Sequence, residues 1–537
     1  MKPAAQEPTD APASREKPFS TFSHRALARF RRLLFLVVPL LLSGCNFAPS
    51  YTPPPVEVPV KYKEGGKGGG SWQEARPRDD LPRGPWWRAL GDHLLDALEE
   101  QVDAANPNLA AAVASFAQAR AYSAKATSAL MPHVDLNNSL TANKESQHRP
   151  FRKSNRAFTP QGYFNELTDN RPLNEPDHYG NNLLTLQSSY EVDLWGRVRN
   201  AVDASVANSE SAAAELESVR LSLQAELARD YVALRGLDSE IKLLEDTVRA
   251  YTQAFVLAKT LVNGKIGAPA DEPRAQAQLE YTRAQLLDIK SRRALLEHAI
   301  ASLIGKPASS FTIPPASLSV FAPKIPPGVP LDLLERRPDI AAVERQVAAA
   351  NAEIGVAKAA FFPRVTINLM GGTQDTGLSL FNFRNSIWTL GPAITLPIFD
   401  AGLRAADLAR ADAAYLEMAA RYRATVLLAY QEVEDSLSNL HWLAGEQRSL
   451  DSASNAAQKV LDISLTLYRD GATNYLDVVI AQTTLLEAQR AALEVRTRRL
   501  EANVALIVAL GGGWSVASPA LAERAVVQVN EPAHDGN

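Results

Sequence analysis

The chain has 537 residues, a formal net charge of −4 and a single cysteine. The near-balanced charge gives no bulk field for nucleic acid, and a lone cysteine excludes internal disulfides. No uninterrupted stretch reaches the about 18 apolar residues of a membrane-spanning helix.

The N-terminus carries an address. Arg25, Arg29, Arg31 and Arg32 precede an apolar run from Leu33 to Leu42, and Ser43-Gly44-Cys45 follows. A basic region, a short apolar core and small residues at the cut make a secretory signal, residues 1–44. Leu42-Ser43-Gly44-Cys45 matches a bacterial lipobox, so Cys45 is expected to carry covalent lipid. Asn46, rather than Asp, after the cysteine favours release to the outer membrane by analogy with enteric lipoproteins. The residues before Arg25 make an unusually long leader, as an upstream start codon would give. Residues 45–84 hold a Pro-rich stretch, Ala48–Pro55, and a Gly-rich one, Gly65–Gly70, and read as a lipid-anchored tether. The GGKGGG run lacks the GK[ST] ending and the preceding strand of a phosphate loop.

Beyond the tether the chain is written twice. NPNLAAAVASFAQARAYSAKATSALMPHVDL, from Asn106, aligns without a gap on RPDIAAVERQVAAANAEIGVAKAAFFPRVTI, from Arg337. Pro107 meets Pro338 and Pro132 meets Pro363, both 231 residues on. Solenoid units are about 20–50 residues, so this period marks a duplicated architecture. The repeats cover 85–306 and 337–514, with an inter-repeat segment at 307–336 and a tail at 515–537.

Each repeat has three runs nearly free of Pro and Gly: Asn108–Leu130, Arg197–Val262 and Arg274–Ile304, then Asp339–Phe361, Leu403–Arg469 and Asn474–Leu510. In Arg197–Val262 an apolar stripe runs through Leu216, Val219, Leu223, Leu227, Tyr231, Leu234, Leu237, Ile241, Leu244, Val248 and Tyr251 at spacings of three and four. That is a helix with one buried seam, near coiled-coil periodicity. At 1.5 Å per residue it is about 100 Å long, which predicts an elongated bundle or tube.

Between the first and second runs the period becomes two. Leu184, Leu186, Tyr190, Val192 and Leu194 alternate with polar residues, as do Trp388, Leu390, Ile394, Leu396 and Ile398 with mostly small or polar ones. Val134–Ala142 and Val365–Gly371 are their partners. These are strands with one apolar and one polar face, as for a sheet between lipid and water. Four strands per chain cannot close a spanning barrel without exposed edges, so a cyclic oligomer sharing one barrel is expected, of unfixed subunit number.

These residues resemble the TolC-like outer membrane factors, of the lipidated NodT/OprM type. The resemblance covers essentially Cys45 to Trp514. It rests on LSGC, PWWRALGDHLLDALEEQVDAANPNL from Pro85, the segment from Arg337, LPIFDAGLR from Leu396, YRDGATNYLDVVIAQ from Tyr468 and LGGGW from Leu510. It implies a mainly α fold with a membrane β-barrel: a homotrimer whose long helical hairpins form a periplasmic α-barrel, continuous with a shared twelve-stranded outer membrane barrel. Ser71–Gln101, Lys306–Leu334 and the chain end would form a belt. It also implies passive exit of small molecules or drugs, delivered by an inner membrane pump through a periplasmic adaptor, the membrane fusion protein. The expected place is the cell outer membrane, lipid-anchored and extending into the periplasm.

Two helical turns, Asn263–Asp271 and Tyr468–Asp477, are expected at the periplasmic tip. Glycines allow such reversals, and Gly267-Ala268 aligns with Gly471-Ala472. By resemblance, Gly264, Gly267, Ala268, Gly471, Ala472 and Thr473 are adaptor-docking residues. Resemblance also puts the closing gate on the helix after the second turn. Leu476 aligns with a gate leucine, and Ile480 replaces a position that is acidic in the relative aligned. Asp477 supplies a carboxylate but is expected to face partly elsewhere, which leaves an apolar gate that closes by packing and dewetting. Gly196 and Gly402 align at the strand-to-helix junctions and suggest a backbone constraint in both halves.

The loop Lys144–Tyr179 has a basic stretch from His148 to Arg156. It reads as a solvated barrel-end loop, with contact to anionic outer membrane lipid as the sharper alternative. Glu432-Val433-Glu434-Asp435 reads as a solvated or pore-facing stretch. No catalytic constellation, metal motif or cofactor motif appears, so no enzyme and no cofactor beyond lipid on Cys45 are expected. Two rivals share much of this pattern: an exit duct for type I polypeptide secretion, and a pore-less coiled-coil lipoprotein that tethers envelope layers.

Overall fold

The computed structural model describes residues 46–56, 59, 62–64, 85–144, 178–319, 337–377 and 382–512. Cys45, the signal segment, the Gly-rich run, residues 145–177 of the polar loop, residues 320–336 and the tail lie outside the described residues.

After a short 3-10 turn at Trp86–Leu90 the first half runs α1 (His93–Ala105), α2 (Pro107–Ser128), β1 (His133–Lys144), β2 (His178–Val192), α3 (Arg197–Asn263) and α4 (Asp271–Leu303). The second half repeats the last five: α5 (Pro338–Ala359), β3 (Arg364–Asp375), β4 (Ser386–Thr395), α6 (Leu403–Arg469) and α7 (Tyr475–Ala509). The copies match closely in size. The helices α2 and α5 each have 22 residues, and α3 and α6 each have 67. The stripe read from the sequence is the buried side of α3, with Leu227, Tyr231, Leu234 and Leu244 wholly covered. Among the described residues no helix is long and apolar enough to cross a membrane.

The chain divides into two compact units. One holds the strands, residues 134–197 and 362–396, with Phe47. Its sheet has the order β1-β2-β3-β4. The strands β2 and β3 are antiparallel with Tyr190 opposite Ile367 and Leu186 opposite Gly371. Next, β3 and β4 pair with Val365 opposite Ile394 and Gly371 opposite Trp388. Because side chains alternate, this register places Tyr190, Val192, Val365, Ile367, Leu390 and Ile394 on one face. Ser189, Asn368 and Thr389 lie on the other, where the Ser189 hydroxyl donates to Asn368 Oδ1 at 3.1 Å. The apolar face is mostly exposed, and among the described residues β1 and β4 are free edges.

At the foot of the sheet the Trp195 indole N–H donates to the Pro363 carbonyl at 2.8 Å. Phe362 stacks on Phe47 at 4.4 Å and lies 5.0 Å from Trp195. Gly196 follows with φ of 78°, a left-handed conformation that glycine adopts without the Cβ penalty.

The second unit holds the helices. In the first half α1 is capped by Asp92, whose Oδ1 accepts from Leu94 N–H at 2.9 Å. Its Leu95, Leu98 and Val102 pack on Leu227, Tyr231 and Leu234 of α3 and on Ile300 of α4. A chain of charges fastens the segment after α4. Arg293 donates to Asp238 at 2.7 Å, to Glu297 at 3.0 Å and to the Ile313 carbonyl at 2.6 Å. Arg235 reaches Asp238 at 3.0 Å and the Pro314 carbonyl at 2.8 Å. Such buried ions persist only when every partner is present.

The duplication extends to this packing. Asn106, which caps α2, donates from Nδ2 to the carbonyl of Leu303 at the end of α4, at 2.7 Å. Its counterpart Arg337, before α5, donates to the carbonyl of Ala509 at the end of α7, at 3.2 Å. Left-handed Gly305 and Gly511 follow those two helix ends.

Two sequence readings are corrected here. The tether is docked where described: Asn351 donates to the Pro49 carbonyl at 2.8 Å, and Tyr51 donates to Glu344. Tyr62 is buried against Tyr422, Val426 and Tyr430 of α6. Pro-rich composition lowers the chance of a self-made core, but it does not stop aromatic side chains from entering a neighbour's. The acidic run on α6 is structural rather than simply solvated. Glu432 accepts from Arg337 at 2.5 Å, and Glu434 accepts from the Lys63 and Glu64 backbone N–H groups at 2.6 and 2.9 Å.

Candidate functional site

The two turns that reverse the long helices end α3 and α6 in the same way. At the second, Gly471 is left-handed with φ of 72°. Its N–H donates to the Tyr468 carbonyl at 3.0 Å, and Ala472 N–H donates to the Leu467 carbonyl at 2.8 Å. This is a Schellman motif, which satisfies carbonyls that the helix end orphans. At the first turn, Lys265 N–H donates to Val262 and Ile266 N–H to Leu261, both at 2.9 Å.

That first pattern corrects the glycine assignment. The left-handed residue is Lys265, with φ of 57°, and neither Gly264 nor Gly267 has a positive φ. Gly267 is needed for room: a Cβ there would stand 3.2 Å from Leu261 Cβ and from Val262 N. Lys265 is therefore the structural counterpart of Gly471, two residues before the Gly267 that the sequence alignment set against it. The first turn is two residues longer, with α4 starting at Asp271 and α7 at Tyr475. Ala268 and Ala472 are exposed, Thr473 is half-buried, and Ile266 projects into solvent.

The start of α7 is capped by Asn474, whose Oδ1 accepts from Asp477 N–H at 3.2 Å. Asp477 in turn binds the Thr473 hydroxyl. The Asn474 bond is the N-cap half of a capping box, and the Asp477 carboxylate turns back to the Thr473 side chain. Asp477 thus works first as part of the helix start, where a negative charge also suits the helix dipole.

Beneath the turns a small core joins the two hairpins. It consists of Ala258, Ala275, Tyr468, Tyr475 and Val478. The Tyr468 and Tyr475 rings lie 5.1 Å apart. The Tyr468 hydroxyl donates to Asp271 Oδ2 at 3.3 Å, and Gln278 donates to Thr483 at 3.2 Å. Burial, then the Asp271 charge, pushes the Tyr468 hydroxyl up to about 12. Burial raises Tyr475 as well. Sequence reading missed this cluster. Its signal was two tyrosines flanking a Gly turn, which propensity alone does not separate from surface aromatics.

On α7, Tyr475, Val478, Ala481 and Gln482 are buried, while Leu476 and Ile480 are 42% and 56% exposed. Asp477 and Ile480 line one shallow groove of about 280 Å³ with Ala457, Val460 and Ser464 of α6. Positions three apart are neighbours on a helix surface, which lets Asp477 and Ile480 share this groove. The surface is mixed, with apolar Ile480 and Val460 beside one carboxylate.

At the second strand-to-helix junction Gly402 is left-handed with φ of 90°, and so is Ala401 with φ of 53°. Asp400 ties this bend by accepting from Gly402 N–H at 3.1 Å and from Arg404 Nε at 2.6 Å. Among the described residues no three His, Cys, Asp or Glu side chains converge as metal ligands would.

With duplicated strands and hairpins in place, comparison with known proteins decides the family. The pattern of the outer membrane efflux proteins matches residues 98–306 and 329–512, one block in each half. The chain belongs to the outer membrane efflux protein family. The pyoverdine export outer membrane protein OpmQ of Pseudomonas aeruginosa is 30% identical over 496 residues, covering 90% of this chain and 97% of that protein. The structure of the outer-membrane channel OprN superposes with a TM-score of 0.76 at 29% identity, over 88% of this chain and 100% of that one. The outer membrane protein VceC of Vibrio cholerae gives 0.72 at 28% identity, over 81% of this chain and 100% of that one. Membership places the protein in the outer membrane as an efflux channel.

Proposed function

We propose that this outer membrane efflux channel is the passive exit duct of a tripartite machine, built from three copies that share one barrel. The observation that carries the reading is the four-stranded sheet with one apolar face and two free edges, linked to two long helical hairpins. An open sheet edge is not tolerated in lipid, and closure by identical copies removes every edge. Four strands from each of three copies give a barrel of twelve.

In this reading an inner membrane pump and a periplasmic adaptor deliver the cargo, and the chain performs no covalent chemistry. The adaptor docks at the turns around Gly264–Ala268 and Gly471–Thr473. Leu476, Ile480 and Asp477 narrow the passage, each occurring three times around the axis. Leu and Ile rings close by packing and dewetting, and an Asp477 ring favours cations. Cys45 carries the lipid that holds the chain to the outer membrane. A generic wide tube leaves substrate choice to the pump, so the pore need not encode it.

Photo-crosslinking from Thr473 in intact cells tests the partner assignment. Capture of a periplasmic adaptor supports it, and that adaptor's pump class separates small-molecule efflux from polypeptide export. An assembled, membrane-inserted protein that captures no adaptor during active transport rejects Thr473 as a docking position.

A further inference from the structure

The two halves meet through contacts that leave their outer sides without an equivalent. In the sheet, β2 of the first half pairs with β3 of the second. Among the helices, α3 of the first half crosses α7 of the second. Gly236 lies so close there that a Cβ would stand 2.6 Å from Thr497 Oγ1. Arg490 closes the same crossing on Glu240 at 2.7 Å. The remaining helix of each hairpin instead exposes large apolar groups: Trp442 on α6 is 69% exposed, and Leu287 and Leu295 on α4 are 68% and 64% exposed.

The duplication says where these side chains belong. The helices α3 and α6 have equal length and each begins just after a left-handed glycine, so Trp442 occupies the place of Gly236, 206 residues on. Leu303 and Ala509, whose carbonyls receive Asn106 and Arg337, are also 206 residues apart. The same spacing puts Ser291 in the place of Thr497. The strands obey these offsets. The Thr141 hydroxyl reaches the Asn181 carbonyl at 3.5 Å. Their counterparts Gly372 and Ile387 are register partners.

We propose that Trp442 of one copy of this chain seats on Ser291 of the next, between Leu287 and Leu295, where Gly236 meets Thr497 within the chain. This rests on the oligomeric duct reading above. Leu287, Ser291 and Leu295 recur every four residues, so they form one row on α4 with its small member in the middle. The row sets two exposed leucines on either side of a small residue. Within the chain, glycine against threonine lets two helices approach closely. Between copies, tryptophan against serine sets them further apart and supplies the large buried area typical of interface anchors. The same operation applied to the sheet joins free edge β4 to free edge β1 of the next copy. Leu396 then faces Leu136, as Tyr190 faces Ile367 within the chain.

The test uses the full-length protein in outer membranes. One variant carries Trp442→Cys with Ser291→Cys, and a second carries Leu396→Cys with Leu136→Cys. Each is treated with a short bis-maleimide, with the single variants as controls. The proposal expects both pairs to give ladders ending at the trimer and the singles to give none. Cross-linking of the strand pair without the helix pair overturns the Trp442 seat while leaving the assembly intact. Absence of both ladders overturns the assembly reading and the proposal with it. Independently, Trp442→Ala should lower the temperature at which the unmodified assembly dissociates in SDS, and Trp442→Phe should lose less. Equal midpoints for Trp442→Ala and the parent contradict the seat, since Trp442 is exposed in the single chain and its loss leaves the chain's own core intact.

Discussion

Tyr468, at the end of one hairpin's first helix, donates its hydroxyl to Asp271, at the start of the other hairpin's second helix, at 3.3 Å. This bond spans the two turns. Asp271 is buried, with Arg274 Nη1 3.9 Å from its Oδ1, and Tyr468 gives its Oδ2 a hydrogen bond from the other hairpin. The first turn is thereby tied to the helix that carries Leu476 and Ile480, because Tyr475 packs on Tyr468.

Tyr468→Phe should loosen both turns together. Losing one hydrogen bond while leaving a buried carboxylate acceptor costs about 1–3 kcal/mol. Amide hydrogen exchange should accelerate at both 264–275 and 471–478. Acceleration confined to the second turn would show that the bond does not couple them.

Glu99 sits on α1 fully buried, with neither carboxylate oxygen hydrogen-bonded among the described residues. Burial, then the charges of Asp103 and Asp96, pushes it from 4.5 up to about 9. A raised folded value means that stability is complete below the unfolded value and is lost as pH rises towards about 9. Glu99→Gln should therefore stabilise the protein more at pH 8 than at pH 5, by on the order of 2–4 kcal/mol near neutrality, read as a larger rise in melting temperature at pH 8. An equal shift at both pH values would mean that Glu99 is charged in the folded protein.

Asn106 does two jobs. Its Oδ1 accepts from Asn108 and Leu109 N–H groups at 2.8 and 3.0 Å, and its Nδ2 holds Leu303. Asn106→Ala should cost about 2–4 kcal/mol, combining a lost cap with an orphaned carbonyl. Asn106→Asp should keep the cap and lose only the second contact. Chemical denaturation of the two variants checks the order, and equal losses would remove the cap from the account.

Lys265 and Gly471 hold equivalent left-handed positions. Gly471→Ala should destabilise the second turn by about 1–2 kcal/mol, while Lys265→Gly should be neutral or stabilising. Limited proteolysis at the two turns separates them. Faster cleavage in Lys265→Gly would show that lysine is held there by contacts worth more than the backbone strain.

The long helices and the strands were legible because burial imposes a period. The stripe from Leu216 to Tyr251 is the covered side of α3, and the alternation at Tyr190 and Val192 is the apolar face of the sheet. Turn chemistry was half legible. Gly471 announces its conformation, whereas Lys265 does not, because a left-handed lysine depends on the helix-end hydrogen bonds around it. Phe47, Tyr51 and Tyr62 were hidden in the segment read as a tether, since docked chain takes its order from the surface it meets. Asp477 illustrates the remaining limit: its spacing from Ile480 was visible, but its engagement with Thr473 and Asn474 needed coordinates.

Single-channel recording of the purified oligomer in a planar bilayer tests most directly whether this chain forms a closed-gate conduit. The account predicts a small conductance for the parent and a clear stepwise increase for Leu476→Ser with Ile480→Ser, which opens the apolar ring. An inserted oligomer that conducts in neither form would contradict it.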